Sequence, residues 1–270
     1  MTMNRSPLKS LLANRFVIKI FPVIFLALIF ISWELLVVLT GIKSVILPPP
    51  SAVIHDLVTK FPLIWPHAVQ TLYTTMVGFA GAIVVGVLLG ALIGSSRLAY
   101  EAFYPVLVGF SSIPKVAVVP IFVLWFGVGT IPAILTSLVI SFFPIVVNVA
   151  TGLATTEPEL EDVLRALGAK KRDILLKVGL PRAMPYFFAS LKISVTLAFV
   201  GTVLSETVAA NKGIGNVMMV ASANYQTALA FGALLLLAVM GVILYGIFAL
   251  LETRFAGWSQ RKTDIALQSH

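Results

Sequence analysis

Lys192 and Glu206 carry ionisable groups in and at the end of one apolar stretch of a 270-residue chain. A charge at the centre of a bilayer costs about 2.5–3.5 kcal/mol on insertion scales, so each requires a partner, an interface or a function. The two lie 14 residues apart, about 21 Å along a helix, too far to pair directly. Ser194, Thr196, Thr202 and Ser205 run between them, a hydroxyl seam suited to lining a polar route. Asn148, in the preceding apolar stretch, is a further polar candidate for that route. Plainer readings stand beside this one: Lys192 snorkels to the nearer interface, and Glu206 is a solvated helix end. Glu34, a third charge in an apolar stretch, reaches the outer interface or serves structure.

Most other chemistry is missing. The chain has no cysteine, hence no disulfide, thiol nucleophile or Cys-based metal site. His55, His67 and His270 are scattered, with no His-Glu-x-x-His pattern and no Gly-x-x-x-x-Gly-Lys-Ser/Thr phosphate loop. Nucleotide-driven work therefore falls to another chain. A membrane-embedded enzyme would need His, Asp or Glu clustered on facing spans, and the sequence shows no such cluster.

The elements that must position these residues are membrane helices. The chain is 59% hydrophobic and 11% charged, with a mean hydropathy of +1.02. A soluble domain carries about 25% charged residues, so the expected class is an all-α integral membrane protein. A crossing needs roughly 20 apolar residues. Residues 16–41, 68–94, 116–127 with 131–153, 185–207 and 227–251 supply about six spans. The 116–127 member is short unless it begins before Pro114. The first stretch reads as a retained anchor rather than a signal peptide.

With the N-terminus inside, 15 Lys and Arg fall on cytoplasmic segments, against Lys43, Lys60 and Lys212 outside. This positive-inside bias puts both termini in the cytoplasm and makes the net charge of +8 a topology signal, not nucleic-acid binding. The expected organisation is an N-terminus and anchor over 1–45, a core over 46–255 and a cytoplasmic tail over 256–270.

Two span patterns bear on packing. Gly78, Ala82, Gly86, Gly90 and Gly94 recur every fourth residue, a small-residue ladder that brings two helix backbones together. It serves packing within one subunit, a subunit contact or a moving seam. Pro120, Pro132 and Pro144 interrupt the middle spans, as kinks or as breaks facing a wet cavity.

Between the spans lies a polar island, residues 155–181, which charge counting puts in the cytoplasm. Thr156-Glu157-Pro158-Glu159 is a capping-box start. Leu160, Val163, Leu164 and Leu167 then follow at i, i+3, i+4 and i+7, one apolar stripe. Gly168 sits where a helix end wants positive φ. A second short helix carries Ile174, Leu175 and Val178, and Pro181 is expected to end it. A helix–Gly–helix elbow of this order is built for presentation to a partner.

The elbow resembles the cytoplasmic loop of binding-protein-dependent ABC importer permeases, whose pattern is Glu-Ala-Ala, three residues, Gly, nine residues, Ile-x-Leu-Pro. Asp162-Val163-Leu164 occupies the first triplet, Gly168 the glycine and Val178-Gly179-Leu180-Pro181 the ending. Arg165-Ala166-Leu167-Gly168-Ala169 is similar to the form of the nitrate/sulfonate/taurine branch. Leu47-Pro48-Pro49-Pro50-Ser51, Ile113-Pro114 through Pro120 to Leu124-Trp125-Phe126-Gly127-Val128-Gly129, and Phe142-Phe143-Pro144-Ile145 with Asn148 resemble further motifs of that branch, in order. The bulkier Val163 and Leu164, with Asp162 for Glu, depart from the pattern and imply a locally different fit.

The resemblance implies a type I ABC importer permease fold with a cytoplasmic coupling-helix loop over residues 155–182. It implies a permease dimer, expected to be a homodimer, with two ATPase subunits beneath and a periplasmic or lipid-anchored solute-binding protein outside. The setting would be a prokaryotic inner membrane, with lipid as the surrounding partner. Asp162, Leu164, Arg165, Ala166, Leu167, Gly168, Ala169, Leu180 and Pro181 would form the ATPase-coupling surface. No cofactor is expected on this chain, ATP and Mg²⁺ being held by the partner ATPase. Asn148, Lys192, Thr196, Ser205 and Glu206 remain the candidate translocation path. The branch handles sulfonates, taurine, nitrate and related organic acids, so the expected cargo is a small polar or anionic solute. The alternatives are a stand-alone secondary transporter or channel, and import of a neutral vitamin precursor by the same machinery.

Overall fold

Close helix contacts set the architecture, and glycine sets the closest of them. A computed structural model describes residues 15–111, 113–155, 163–164 and 166–268, and every element assigned among them is helical. In order these are α1 (Arg15–Thr40), α2 (Pro50–Thr59), α3 (Phe61–Gly94), α4 (Arg97–Ser111), α5 (Val119–Phe126) and α6 (Thr130–Ala154). They continue as α7 (Lys171–Ile174), α8 (Leu180–Ala209), α9 (Ile214–Ala223) and α10 (Thr227–Gln268). Helices suit this composition because each satisfies its own backbone polar groups where lipid offers no hydrogen bonds.

Helix α6 lies at the centre, between α3 and α8. A Cβ at Gly78 would sit 2.5 Å from Ser137 Cβ, one at Gly86 2.7 Å from Ile145 Cβ, and one at Gly90 2.7 Å from Val149 Cβ. A Cβ at Gly94 would come 2.7 Å from the Ala150 carbonyl oxygen. The glycine ladder therefore packs α3 on α6 within one subunit. Both numberings rise together along the seam, so the two helices run parallel. Helix α8 meets α6 in the opposite sense. Gly152 lies against Ala183 at one end, and Gly201 against Thr136 and Ser137 at the other.

Two parallel helices must be joined by a chain that returns across the bundle. That return is α4, a 3₁₀ turn at Lys115–Val118 and α5, the helical pair being bent by 77°. Helix α5 has eight residues, about 12 Å, too short to cross alone. The span expected at 116–127 is thus only the second limb of a bent crossing. Pro114 disfavours helix in the residue before it and offers no N–H, so α4 cannot run through. Among the described residues five helices are long and apolar enough to cross, and the parallel sense of α3 and α6 makes this bent pair the sixth crossing.

Further departures concern element ends. Helix α8 begins at Leu180, not at 185, and encloses Pro185. Helix α10 runs on to Gln268 with no break at the expected tail boundary near 256. Helix α6 continues through Pro144 as one element, and Pro132 falls in its first turn. The short helices α2 and α9 have no counterpart in the expected spans. Helix α1 is outermost, with Phe25, Leu28 and Leu39 exposed on an apolar surface. It is tied in by Trp33, whose ring lies 5.7 Å from that of Phe231 on α10, and by Glu34. The Glu34 carboxylate accepts from Ser51 N–H at 3.0 Å and from Ser51 Oγ at 2.8 Å, serving the unpaired N-terminus of α2 from another helix.

Candidate functional site

The elbow leaves α6 at Ala154 and re-enters the bundle at α8. Thr156 to Leu160, Asp162 and Arg165 lie outside the described residues. Val163, Leu164 and Ala166 are helical, and Gly168 has φ +86°, the positive value its position requires. The Ala169 N–H reaches back to the Leu164 carbonyl at 3.0 Å, closing the six-residue loop that ends a helix around a left-handed glycine. Val163 is 57% exposed and Leu167 78% exposed, so these two members of the apolar stripe face outward. Ala166 and Leu180 are exposed as well, whereas Leu164 and Ala169 are half-buried. Ile174, buried at 3%, anchors the second limb.

Pro181 does not end that limb. Lys171–Ile174 passes through a π-helical turn at Leu175–Gly179 straight into α8, with Pro181 in the first turn of the long helix. A proline there loses no bond that a helix start would have made, and the wider turn before it accommodates the missing donor. The elbow's second limb is therefore continuous with the fifth crossing.

The embedded charges are all engaged. Lys192 Nζ pairs with Glu252 Oε2 of α10, so it neither snorkels nor lies unpaired along a route. Glu252 is 7% exposed and lay just beyond the expected end of the last span at 251, which is why sequence reading passed over it. Glu206 is 2% exposed, not a solvated helix end. The chain reverses after α8, and α9 folds back over it. Glu206 Oε2 accepts from Thr71 Oγ1 at 2.8 Å and from the Gly215 N–H at 3.1 Å. Thr71 Oγ1 in turn accepts from the Ile214 N–H at 2.8 Å, and His67 Nδ1 from the Gly213 N–H at 3.1 Å. Gly213 has φ +119°, and a Cβ there would collide with the Glu206 carboxylate. The only prior signal for this node was the Gly213-Ile214-Gly215 triplet near an acidic helix end.

The hydroxyl seam divides. Ser194, Thr202 and Ser205 are fully buried, and none of their hydroxyl oxygens has a hydrogen-bond partner. With Ala198 and Gly201 they form the small-residue face of α8, as tight helix packing in lipid requires. Thr196 lies on another side, on an apolar groove with Phe199, Leu237 and Tyr245, its hydroxyl bonded to the Lys192 carbonyl. Asn148 donates to the Pro144 carbonyl at 2.8 Å within α6. Asn148, Lys192, Thr196, Ser205 and Glu206 are therefore not gathered along one lumen of this subunit. A cavity of about 270 Å³ does open beside Glu206, lined also by Gln70, Thr74, Thr130, Asn211 and Lys212, at the end of the bundle opposite the elbow. Among the described residues, no three His, Cys, Asp or Glu are placed to hold a metal ion.

Residues 82–257 match the family model described as binding-protein-dependent transport system inner membrane component. A probable ABC transporter permease protein of Haemophilus influenzae is 33% identical over 238 residues, 88% of this chain and 97% of that protein. The formylaminopyrimidine transport permease protein ThiX of Halalkalibacterium halodurans is 29% identical, over 89% of this chain and 96% of its own length. The taurine transport system permease protein TauC of Escherichia coli is 25% identical, with 86% and 87% covered. In fold, the chain matches a structure of the MetNI methionine ABC transporter in an inward-facing conformation. The TM-score is 0.62 at 21% identity, covering 72% of this chain and 98% of that one.

Proposed function

The chain belongs to the family of binding-protein-dependent transport system inner membrane components, and on that premise we propose how it is driven and what it carries. It is a multi-pass ABC importer permease subunit. Two copies form the pathway, each seated on an ATPase subunit that binds ATP and Mg²⁺, and an external binding protein delivers the solute. The elbow and both termini face the cytoplasm. The cargo is a small polar or anionic solute of the sulfonate, taurine or nitrate kind. Relatives named for taurine and for a formylaminopyrimidine support a small polar cargo and keep a vitamin precursor within the class.

One observation carries the coupling role: the exposed Val163 and Leu167, on a turn closed by Gly168, are joined by Ala169 and Lys170 to a second limb that runs from Lys171 without a break into α8. Apolar side chains projecting into water suit a groove on a partner, and a stiff connection transmits displacement that a floppy loop would absorb. ATP can bias an inward–outward equilibrium only through contacts that differ between the two states, and the elbow is where such contacts would form. The test is the complete complex in proteoliposomes with its binding protein. Gly168→Val forces a β-branched residue into positive φ, a strain of about 1–3 kcal/mol. Expected is at least a tenfold fall in uptake per ATP hydrolysed. Leu167→Asp is expected to weaken ATPase attachment. Normal coupling in the first variant together with normal assembly in the second overturns the proposal.

A further inference from the structure

The bent third crossing carries a cation halfway through the bundle. Charge counting assigns Lys115 to a cytoplasmic segment, but the fold places it far from either end, and the inside bias holds without it. Helix α4 climbs along α6. The Tyr100 hydroxyl lies 3.3 Å from that of Thr151, and further on the Lys115 ammonium lies 5.0 Å from the ring centroid of Phe143. Phe143 stands near the middle of α6, about 20 Å from its Thr130 end and about 17 Å from its Ala154 end. That is too deep for a lysine stem to snorkel to either interface.

The helix is broken at the same depth, with Ile113 and Pro114 outside any helical element. Irregular backbone within a membrane is tolerated only where protein buries it or water reaches it. One subunit does not bury it: no residue of α4 is buried, and Ile113, Pro114, Val116 and Ala117 are all exposed. An intramembrane charge likewise faces a bundle interior or a wet cavity and takes a partner. Among the described residues Lys115 has the Phe143 ring beside it and no carboxylate. A second copy of the chain does not fill that gap, because the carboxylates described on the long helices are engaged. Glu34 is held by Ser51, Glu101 by Arg97, Glu206 by Thr71 and Glu252 by Lys192. The counter-charge is therefore a mobile anion. The 3₁₀ turn and α5 start at Lys115, so the positive end of that limb adds to the ammonium.

We infer that Lys115, at the break of the third crossing, lines a water-filled pathway between two copies and binds the anionic group of the solute, a sulfonate, carboxylate or nitrate. The inference rests on the importer reading and narrows its cargo to solutes with such a group.

The chain has no cysteine, so Ala117→Cys sets one thiol beside Lys115. In the permease–ATPase complex in nanodiscs, its modification by an anionic (sulfonatoethyl) and a cationic (trimethylammonioethyl) methanethiosulfonate is timed by mass spectrometry. The ratio of the two rates is compared with that for free 2-mercaptoethanol. A cleft of one sign concentrates counter-ions, so the ratio is expected to favour the anion about tenfold over the free thiol. Lys115→Gln is expected to return the ratio to the free-thiol value, and Lys115→Arg to keep the preference. Ethanesulfonate is expected to slow the anionic reagent severalfold at a concentration where neutral ethyl methyl sulfone has no effect. No modification by either reagent means a break sealed by lipid or protein and overturns the site. So does a free-thiol ratio in Ala117→Cys, or a preference that persists in Lys115→Gln. Should Lys115→Gln fail to assemble, the solute pair decides, and equal behaviour of its two members overturns the site. Labelling needs neither ATP nor a binding protein. Its failure leaves the importer reading standing, and a failure of ATP-driven uptake leaves this result standing.

Discussion

Lys192 and Glu252 show how a single residue can be visible in a sequence while its role is not. An isolated lysine in an apolar stretch demands an explanation, and sequence reading supplied two. Neither included a carboxylate 60 positions later, because Glu252 follows the apolar run of its own helix and reads as a solvated end. Pairing across α8 and α10 is a tertiary fact with no local signature. The reading of Glu206 as a solvated helix end failed for a related reason, its cover being α9, an element absent from the span pattern. Lys192 is half-buried and Glu252 buried, so removing one partner leaves an uncompensated charge at a cost below the roughly 3–5 kcal/mol of a fully buried pair. Lys192→Met is therefore expected to lower thermal stability in detergent sharply, and Lys192→Met with Glu252→Leu to recover most of the loss. A double variant showing the sum of two single losses would mean the groups are not coupled.

At the scale of elements, the glycine ladder was legible as a seam, and the backbone contacts assign it to α3 and α6. The period of four dictates one helix face, but nothing in that period names the partner helix. The elbow was read further, since Gly168 adopts the positive φ its spacing implied and Leu167 is exposed. Pro181 was read in the wrong direction. A proline marks a helix boundary without saying which side is helix, and here it opens α8. A Cβ added at any of the four ladder glycines would meet Cβ or backbone atoms of α6, which cannot swing aside. Gly90→Ala is thus expected to cost about 1–3 kcal/mol in unfolding free energy as overpacking. Gly246→Ala on α10 has nothing within 4 Å of the added carbon and is expected to be neutral or stabilising by up to about 1 kcal/mol. Equal effects at the two positions would show that the α3–α6 approach is looser than described.

For the whole molecule, crossing number and direction came from different sources. Hydropathy found the long spans but misplaced the third, because a bent crossing of two limbs has no continuous apolar run. The parallel packing of α3 and α6 fixes it. Six crossings put the first and last helices' outer ends on one side, and the 15 to 3 charge bias is the support for the proposal that this side is the cytoplasm. In right-side-out vesicles, a membrane-impermeant thiol reagent is expected to label Lys212→Cys and to spare Ala166→Cys until the membrane is opened. The reverse pattern would invert the orientation. Mechanically, α8 is a strut of 30 residues, about 45 Å, clamped at both ends. Small-residue contacts with α6 stiffen it against bending, and at its far end the Thr71–Glu206–Ile214 node welds it to α3 and α9. Compliance is left to α1, which grips the rest through few contacts. A thrust delivered at the elbow therefore travels as a shift of the whole rod and is felt at the opposite mouth.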